Sequence, residues 1–307
     1  MLLNYTRRDI SEANFQLFLS FLKDWEDQRS YIETYTSGST GAPKKIQIEK
    51  KHMVISAKKT LDFFQLKPGA DAILCLSPTT IAGKMMIIRS IIGNLHLNLC
   101  EPNGIDYMHI ETDFLAIVPM QLDKFLASNT TLLQKIPVVL IGGAALSEKS
   151  IDAIRNENIH AFQSFGMTET ISHFALKNLL NTGDEYTTLA GVSVSSSNQD
   201  TLIVDYPELG LHQLKTNDMV QIHAENRFTW LGRNDFVVNS GGFKLHPEYI
   251  ESKIAKHIPL PFFLAGIPDV KLGEKLVLCI ESEKPIDLDL NTFRYLEQRY
   301  MIPKEIK

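Results

Sequence analysis

A loop rich in glycine and hydroxyl side chains at residues 35–44 constrains this chain more than any other stretch. It reads Tyr-Thr-Ser-Gly-Ser-Thr-Gly-Ala-Pro-Lys. Gly38 and Gly41 have no Cβ, so the backbone can turn its N–H groups toward a bound anion. Lys44 adds a mobile positive charge. The hydroxyl donors of the loop are Thr36, Ser37, Ser39 and Thr40. Together these groups predict a phosphate-binding site.

Two other interpretations of the loop fit less well. A Walker A loop ends in Gly-Lys-Ser/Thr, whereas Gly41 is followed by Ala-Pro-Lys-Lys, so a P-loop NTPase is excluded. A flexible linker also has Ser/Gly-rich composition. However, this loop contains an aromatic residue, ends in a proline step and leads directly into the apolar alternation of Ile46 and Ile48. A linker needs none of these features.

Length and composition bound the class of protein. A chain of 307 residues forms one large or two ordinary domains, and 44% apolar content suffices for a core. A net charge of −5 argues against a nucleic-acid partner. No apolar run reaches the roughly 18 residues of a membrane span, and Arg7 and Arg8 precede any signal-peptide core. Three widely spaced cysteines without a Cys-x-x-Cys motif indicate neither a disulfide framework nor a zinc site. We expect a cytoplasmic protein.

The order of predicted elements indicates an α/β fold. Helical periodicity covers 11–28, with Ser11 as a cap, and also 49–65, 119–128 and 147–156. Buried strands are predicted at 72–76, 114–118 and 137–141. This alternation is typical of a parallel sheet layered by helices.

The pattern of predicted elements changes twice in the rest of the chain. A β-rich subdomain is predicted at about 186–232, with strands at 201–204, 219–223 and 227–231. A small α+β domain follows, with a helix begun by Pro247, strands at 262–265 and 275–281, and a final helix near 289–300. We therefore predict a large domain over 1–234 and a small one over 235–307.

Four further motifs carry chemistry. In Ser-Phe-Gly-Met-Thr-Glu-Thr at 164–170, Thr168 offers a hydroxyl and Glu169 the hard oxygen that Mg²⁺ prefers, although Thr-Glu also commonly starts a helix. Gly142 and Gly143 end a buried strand, where open α/β sheets bind ligands; a tight turn is the alternative. The other two motifs are Asp218 with Arg233, suited to a ribose or to a surface ion pair, and the glycine turn Gly241-Gly242.

With these stretches in this order, the chain from Tyr35 to Lys307 resembles the adenylate-forming superfamily of acyl- and aryl-CoA ligases. The compact length is most similar to that of the O-succinylbenzoate:CoA ligases of menaquinone synthesis. The resemblance implies a large adenylate-forming domain with layered mixed sheets. It also implies that the small domain is incomplete, because relatives continue past Lys307 to a catalytic Gly-Lys segment.

The resemblance also implies roles for residues. Thr36 to Lys44 would bind the ATP phosphates, Thr168 would contact the α-phosphate, and Glu169 would hold Mg²⁺, so Thr168, Glu169 and Lys44 are the catalytic candidates. Asp235 would be the hinge between domains, and Gly241 and Gly242 would line the CoA channel. The adenine and ribose site would comprise Gly142, Gly143, Ala144, Ser164, Phe165, Gly166, Asp218 and Arg233. The acyl pocket would include Thr80, Gly83, Lys84 and His173. Lys84, Arg89 and His173 are candidates for a substrate carboxylate; the alternative for each is a structural or solvent-facing role.

The implied reaction has two steps. A carboxylate attacks ATP with release of pyrophosphate, and CoA then displaces AMP, so catalysis rests on positioning and electrostatics. ATP, Mg²⁺ and CoA are the expected cofactors and co-substrates; a homodimer is left open. Three alternatives remain: another acyl- or aryl-CoA ligase, an adenylating enzyme that loads a carrier protein, and a non-catalytic nucleotide- or acyl-adenylate-binding module, which a chain without the Gly-Lys segment would favour.

Overall fold

The computed structural model describes residues 3–35, 45–102, 110–128, 130–283, 286 and 288–307. Contacts divide the chain into two compact units. The first comprises Met1–Leu146, Ala153–Ser193 and Asp205–His212, and the second comprises Ser147–Asp152, Val194–Val204 and Gln213–Lys307. The predicted domain boundary at residue 235 stays a prediction.

The described residues of the first unit form ten strands and five α-helices. The strands are β1 (Asn4–Arg7), β2 (Tyr31–Tyr35), β3 (Lys45–Glu49), β4 (Asp71–Leu74), β5 (His96–Leu99), β6 (Phe114–Ile117), β7 (Val138–Ile141), β8 (Ala161–Gly166), β9 (His173–Asn178) and β10 (Glu185–Thr188). The helices are α1 (Glu12–Glu26), α2 (Lys50–Phe64), α3 (Ile81–Gly93), α4 (Pro119–Ser128) and α5 (Thr130–Lys135), and α6 (Glu148–Asn156) follows at the division between the units.

The main sheet of this unit is parallel on one side and antiparallel on the other. Its order is β1-β5-β4-β6-β7-β8-β9-β10. The pairs from β1 through β8 are parallel, and β8, β9 and β10 pair antiparallel. Every residue of β6 and β7 is buried, as expected for strands covered on both faces. The predicted mixed sheet layered by helices is therefore confirmed.

One helix start was predicted correctly from a local signal, whereas one helix was missed. The Ser11 Oγ accepts the Asn14 N–H at 3.4 Å and so caps α1, as predicted. Helix α3 was not predicted from the sequence. All nine residues 83–91 are buried, so no polar face marks a period of 3.6 residues.

The described residues of the second unit form two groups of paired strands and one α-helix. Its elements are β11 (Ser193–Ser196), β12 (Thr201–Tyr206), β13 (Leu211–Ala224), β14 (Arg227–Arg233), β15 (Val238–Ser240), β16 (Phe243–Leu245), α7 (Pro247–Ile254), β17 (Phe262–Asp269), β18 (Gly273–Ile280) and β19 (Glu305–Ile306). Strands β14-β13-β12-β11 lie side by side, and β16-β15-β18-β17 form the second sheet with β19 beside β18. The core around α7 includes Ile250, Leu276 and Phe293.

The predicted final helix near 289–300 is wrong. The chain there forms two 3-10 turns, Leu290–Tyr295 and Arg299–Met301. The Asp289 side chain accepts the Asn291 N–H at 2.9 Å, but the first turn ends at Leu296, which has an extended ψ of 140°. The apolar residues that suggested a helix instead pack singly: Phe293 and Leu296 are buried in the core around α7. Across the described ranges, no helix is both long and apolar enough to cross a bilayer.

Candidate functional site

The predicted phosphate loop lies outside the described residues. This applies to Thr36, Ser37, Gly38, Ser39, Thr40, Gly41 and Lys44. The strands on either side of the loop are described: β2 and β3 pair antiparallel, with residue 35 opposite residue 45. The loop thus joins the two strands of a hairpin, and the phosphate-binding role of its residues stays a prediction.

Two of the residues predicted for the adenine site meet at the carboxyl ends of β7 and β8. A Cβ at Gly142 would lie 2.5 Å from the Ser164 Oγ, which donates to the Ile141 carbonyl at 3.1 Å. The Gly142 N–H donates to the Ile117 carbonyl at 3.0 Å. Gly143 and Ala144 are exposed beside them. This edge of a parallel sheet is where ligands bind in such folds, so the predicted adenine residues lie at a suitable place.

The residues after Ser164 divide between core and turn. The Phe165 ring packs against Phe174 and Tyr186, with ring centroids 5.7 and 5.3 Å apart, so it is engaged in core packing. A Cβ at Gly166 would collide with the Ser172 carbonyl oxygen. Glycine is therefore required where the turn after β8 folds back on β9.

That turn carries Thr168 and Glu169 on a strained backbone. Ile171 has a φ of 69° although it is β-branched and only 5% exposed. Such a conformation costs on the order of 1–3 kcal/mol and is typical of functional sites. The Thr170 Oγ1 secures the turn by accepting the Met167 N–H at 3.0 Å and donating to the Ser172 carbonyl at 2.8 Å.

The fit of this turn to Mg²⁺ can be judged from its donors. Glu169 is exposed, so its carboxylate is accessible to a cation. Among the residues that the structure describes, no three His, Cys, Asp or Glu side chains converge on one metal position. Mg²⁺ is commonly held by one or two carboxylates with substrate phosphates and waters, and a single exposed carboxylate fits that mode.

Three of the acyl-pocket candidates have structural contacts around the start of α3. The Thr80 Oγ1 accepts the Gly83 N–H at 3.2 Å and donates to the Ser77 carbonyl at 2.8 Å, which caps the helix. A Cβ at Gly83 would collide with that same carbonyl oxygen. The Lys84 Nζ donates to the Glu33 carbonyl at 3.0 Å, and burial lowers the pKa of the Lys84 ammonium.

The fourth candidate, His173, belongs to a buried polar group with Arg89. We name the group formed by Thr60, Arg89, Ser172 and His173 the Arg89 cluster. The Arg89 Nε donates to the Thr60 Oγ1 at 3.2 Å, and its NH2 donates to the Ser172 Oγ at 2.9 Å. The His173 Nε2 lies 3.3 Å from the Thr60 Oγ1. Arg89 is 2% exposed and His173 6%.

Burial controls the charges of this cluster. It lowers the pKa of Arg89 to about 10, so the guanidinium is still protonated at neutral pH. Burial, aided by the Arg89 charge, holds the pKa of His173 well below its ordinary value. Within the described ranges no Asp or Glu pairs with Arg89; its contacts there are hydroxyls. An uncompensated buried charge is costly, so the cluster is suited to binding an anion.

The predicted ribose residues form a second group, which we name the Asp218 pair. Asp218 on β13 lies opposite Arg233 on β14, and the Asp218 Oδ1 is 4.0 Å from the Arg233 NH1. Asp218 is 8% exposed. Its Oδ1 also accepts the Trp230 Nε1–H at 3.0 Å. Trp230 was missed from the sequence; the only signal was that an indole N–H in a half-buried position needs an acceptor.

A buried carboxyl supports this pair from helix α7. The Glu248 Oε1 accepts the Arg233 N–H at 3.3 Å, while its Oε2 is buried and has no hydrogen-bond partner among the described residues. Burial raises the pKa of Glu248. Gly232 has a φ of 130°, and a Cβ there would collide with the Glu248 Oε2. Glycine at 232 is therefore favoured by its backbone conformation, and an added Cβ would displace the Glu248 carboxylate.

The predicted hinge and CoA-channel residues lie in the same unit. Asp235 is in a 3-10 turn and pairs with Arg233, Oδ2 to NH2, at 3.4 Å. Gly241 and Gly242 have φ values of 59° and 85° and join β15 to β16 as a two-residue hairpin loop. Positive φ at both positions is what this kind of turn requires. The glycine turn is therefore confirmed, and its role with CoA stays a prediction.

Comparison with known sequences identifies the family. The family described as "AMP-binding enzyme" matches residues 22–224. The 2-succinylbenzoate–CoA ligase of Escherichia coli (strain K12) is 25% identical over 307 aligned positions, covering 92% of this chain and 67% of that protein. A probable 2-succinylbenzoate–CoA ligase of Mycobacterium tuberculosis is 26% identical, covering 80% of this chain and 69% of that protein. The chain therefore spans about two thirds of these relatives.

Solved structures give the same result. An acyl-CoA synthetase (AMP-forming)/AMP-acid ligase II-like protein from Dyadobacter fermentans is 34% identical with a TM-score of 0.68, covering 97% of this chain and 89% of that one. An O-succinylbenzoate coenzyme A synthetase from Bacillus subtilis, in complex with ATP and magnesium ion, has a TM-score of 0.76 at 21% identity, covering 89% and 65%. These matches confirm the mixed α/β adenylate-forming fold. The chain belongs to the AMP-binding enzyme family.

Proposed function

We propose that this chain is an ATP-dependent acid:CoA ligase that acts on 2-succinylbenzoate in menaquinone biosynthesis. The acid would first be adenylated with release of pyrophosphate, and the thiol of CoA would then displace AMP. The names of the two curated relatives support this acid. Family membership alone supports the reaction type, since it does not distinguish among carboxylic acids.

The Arg89 cluster is the observation that carries the choice of acid. 2-Succinylbenzoate has two carboxylates, so one remains an anion while the other reacts. A guanidinium forms its strongest contacts with a carboxylate, often through two parallel hydrogen bonds. Arg89 is buried with a positive charge that only hydroxyls contact in the described part of the chain. It is thus a suitable partner for the unreactive carboxylate.

The sequence places this cluster next to the predicted nucleotide turn. Ser172 and His173 follow Glu169 by three and four residues, across the strained Ile171. When bound, ATP and Mg²⁺ supply the leaving group and neutralise its charge, and CoA supplies the thiol. Glu169 would hold the cation and Thr168 would donate to phosphate. The acid would lie between this turn and Arg89.

The remaining residues would bind and orient the nucleotide. Gly142 and Ser164 would lie against adenine at the end of β7, and the Asp218 pair would bind ribose hydroxyls. Asp235 would serve as the hinge of the small domain, and the Gly241-Gly242 hairpin would line the CoA channel in the second step. No protein nucleophile is needed, because both leaving groups are displaced by substrates.

An ATP–pyrophosphate exchange assay with matched acids tests this proposal. We expect exchange with 2-succinylbenzoate and none with benzoate, which lacks the second carboxylate. Equal exchange with both acids would contradict the assignment of Arg89. ATP binding without exchange for any acid would favour the non-catalytic nucleotide- or acyl-adenylate-binding module instead. Replacing CoA by a holo-carrier protein in the second step separates a CoA ligase from a carrier-loading enzyme.

A further inference from the structure

The indole of Trp230 is a neutral hydrogen-bond donor to the Asp218 pair. Its Nε1–H donates to the Asp218 Oδ1 at 3.0 Å, while Arg233 lies 4.0 Å from the same oxygen. The Asp218 N–H in turn donates to the Thr216 Oγ1 at 3.1 Å. Both the main chain and one carboxylate oxygen of Asp218 are therefore held in place by neighbours.

An irregularity in the β13–β14 ladder places the indole there. Asp218 lies opposite Arg233 and Met219 opposite Gly232, but Val220 lies opposite Trp230 rather than Leu231. One residue of β14 is thus skipped, which is the signature of a β-bulge that re-aims a side chain. Residues opposite one another in a ladder share a face. The bulge therefore moves Trp230 onto the face of Asp218.

We propose that Trp230 is a positioning residue that orients the Asp218 carboxylate for a ribose hydroxyl. The terminal torsion of an aspartate is soft, so a free carboxylate would rotate broadly. An indole N–H is only a donor, so it fixes Oδ1 without competing as an acceptor. In the described part of the chain, Oδ2 has no hydrogen-bond donor and stays available. This inference rests on the proposed ribose role of Asp218.

Trp230→Phe tests the inference because it keeps an aromatic ring and removes the N–H. We expect the dissociation constant for ATP to rise about tenfold, the scale of one hydrogen bond to a charged group. For the deoxy analogue that lacks the contacted hydroxyl, either 2′-deoxyATP or 3′-deoxyATP, the same substitution should change the constant by less than twofold. Trp25→Phe, the same change at the other tryptophan, should leave all three constants unchanged.

Equal weakening of ATP and both deoxy analogues would show a merely structural role and overturn the inference, as would an unchanged ATP constant. Asp218→Asn, measured in parallel, separates the two levels of the argument. If Asp218→Asn weakens ATP without distinguishing the deoxy analogues, the ribose assignment itself fails. If it distinguishes them and Trp230→Phe does not, only the role of Trp230 fails.

A second measurement leaves Trp230 in place, in case its replacement prevents folding. In the Trp25→Phe protein, Trp230 is the remaining tryptophan, so its emission reports on the Asp218 pair. We expect AMP to change this emission with the dissociation constant found by calorimetry. An emission that does not respond to saturating AMP would overturn the inference, because the indole is hydrogen-bonded to the carboxylate said to bind the ligand.

Discussion

The Arg89 cluster and the Asp218 pair differ in how their charges are compensated. In the Arg89 cluster a buried guanidinium contacts only hydroxyls in the described ranges, and its neighbour His173 is kept neutral. In the Asp218 pair the carboxylate has a cation at 4.0 Å and a neutral donor at 3.0 Å. The first group therefore has a net positive charge to be matched by a ligand, while in the second the carboxylate already has a cation nearby.

The difference in charge determines which kind of ligand each group favours. An unmatched buried cation favours an anion strongly and discriminates against neutral ligands, since a neutral ligand leaves the charge uncompensated. A carboxylate that already has a cation nearby gains little from a further cation but offers acceptors to hydroxyls. The acid would thus be chosen by charge and the nucleotide sugar by hydrogen-bond geometry.

Arg89→Met tests the role of the buried guanidinium and should have the largest effect. We expect about a hundredfold fall in kcat/KM for 2-succinylbenzoate, because the partner of a buried carboxylate is lost. We also expect a higher melting temperature, because an uncompensated buried charge is replaced by an apolar chain of similar length. Steady-state kinetics and calorimetry measure the two effects.

Lys84→Met is the matched control for that prediction. Lys84 lies on the same helix and is also buried, but its ammonium donates to the Glu33 carbonyl. We expect a much smaller change in kcat/KM. Equal losses for both variants would show that any buried cation of α3 matters, and that Arg89 is not the specific ligand.

Gly232→Ala breaks the second group without changing its charges. The φ of 130° is unfavourable for alanine, and the new Cβ would collide with the Glu248 Oε2. We expect a loss of about 2 kcal/mol in the free energy of unfolding, measured by urea denaturation. Gly210→Ala is the control: its φ is 67°, but no heavy atom of the described residues lies within 4 Å of the added Cβ. A loss no larger than that of Gly210→Ala would contradict the contact with Glu248.

The pH dependence of stability tests whether His173 is buried as a neutral imidazole. Its pKa is held below the ordinary value of 6.5, so the folded protein binds fewer protons than the unfolded chain. This favours the fold above pH 6.5 and is lost as the pH falls, by at most about 1.4 kcal/mol per pH unit. His173→Gln should flatten the stability profile between pH 6.5 and 5. A wild-type profile that is already flat there would disprove a buried neutral histidine.

Glu248 should give the smaller effect, with the opposite sign. Burial raises its pKa above the ordinary value of 4.5, so the folded state binds more protons. Its contribution is greatest below pH 4.5 and is lost as the pH rises through the raised value. Glu248→Gln keeps an acceptor for the Arg233 N–H, so we expect a higher melting temperature at pH 7 and none of this gain at pH 4. A gain of equal size at both pH values would contradict a charge effect.

Local signals in the sequence predicted much of the fold but not the partners of the site residues. The Ser11 cap, the buried runs of β6 and β7 and the Gly241-Gly242 turn are confirmed because each depends on a few neighbouring residues. Helix α3 was not predicted, because residues 83–91 are all buried and leave no polar face. Arg89 was a candidate, but Thr60 and Ser172 are 29 and 83 residues away from it. Trp230 was missed because a single skipped residue decides which face it occupies.

The left-handed backbone at Ile171 lies between two pairs of predicted site residues. Thr168 and Glu169 lie before it and Ser172 and His173 after it, while its own side chain is fixed in the core. If both ends bind as proposed, we expect a displacement on one side to be passed to the other, because a buried β-branched residue in the left-handed region has few alternative backbone conformations. We expect the acid and ATP to bind with positive cooperativity, each lowering the dissociation constant of its partner by the same factor.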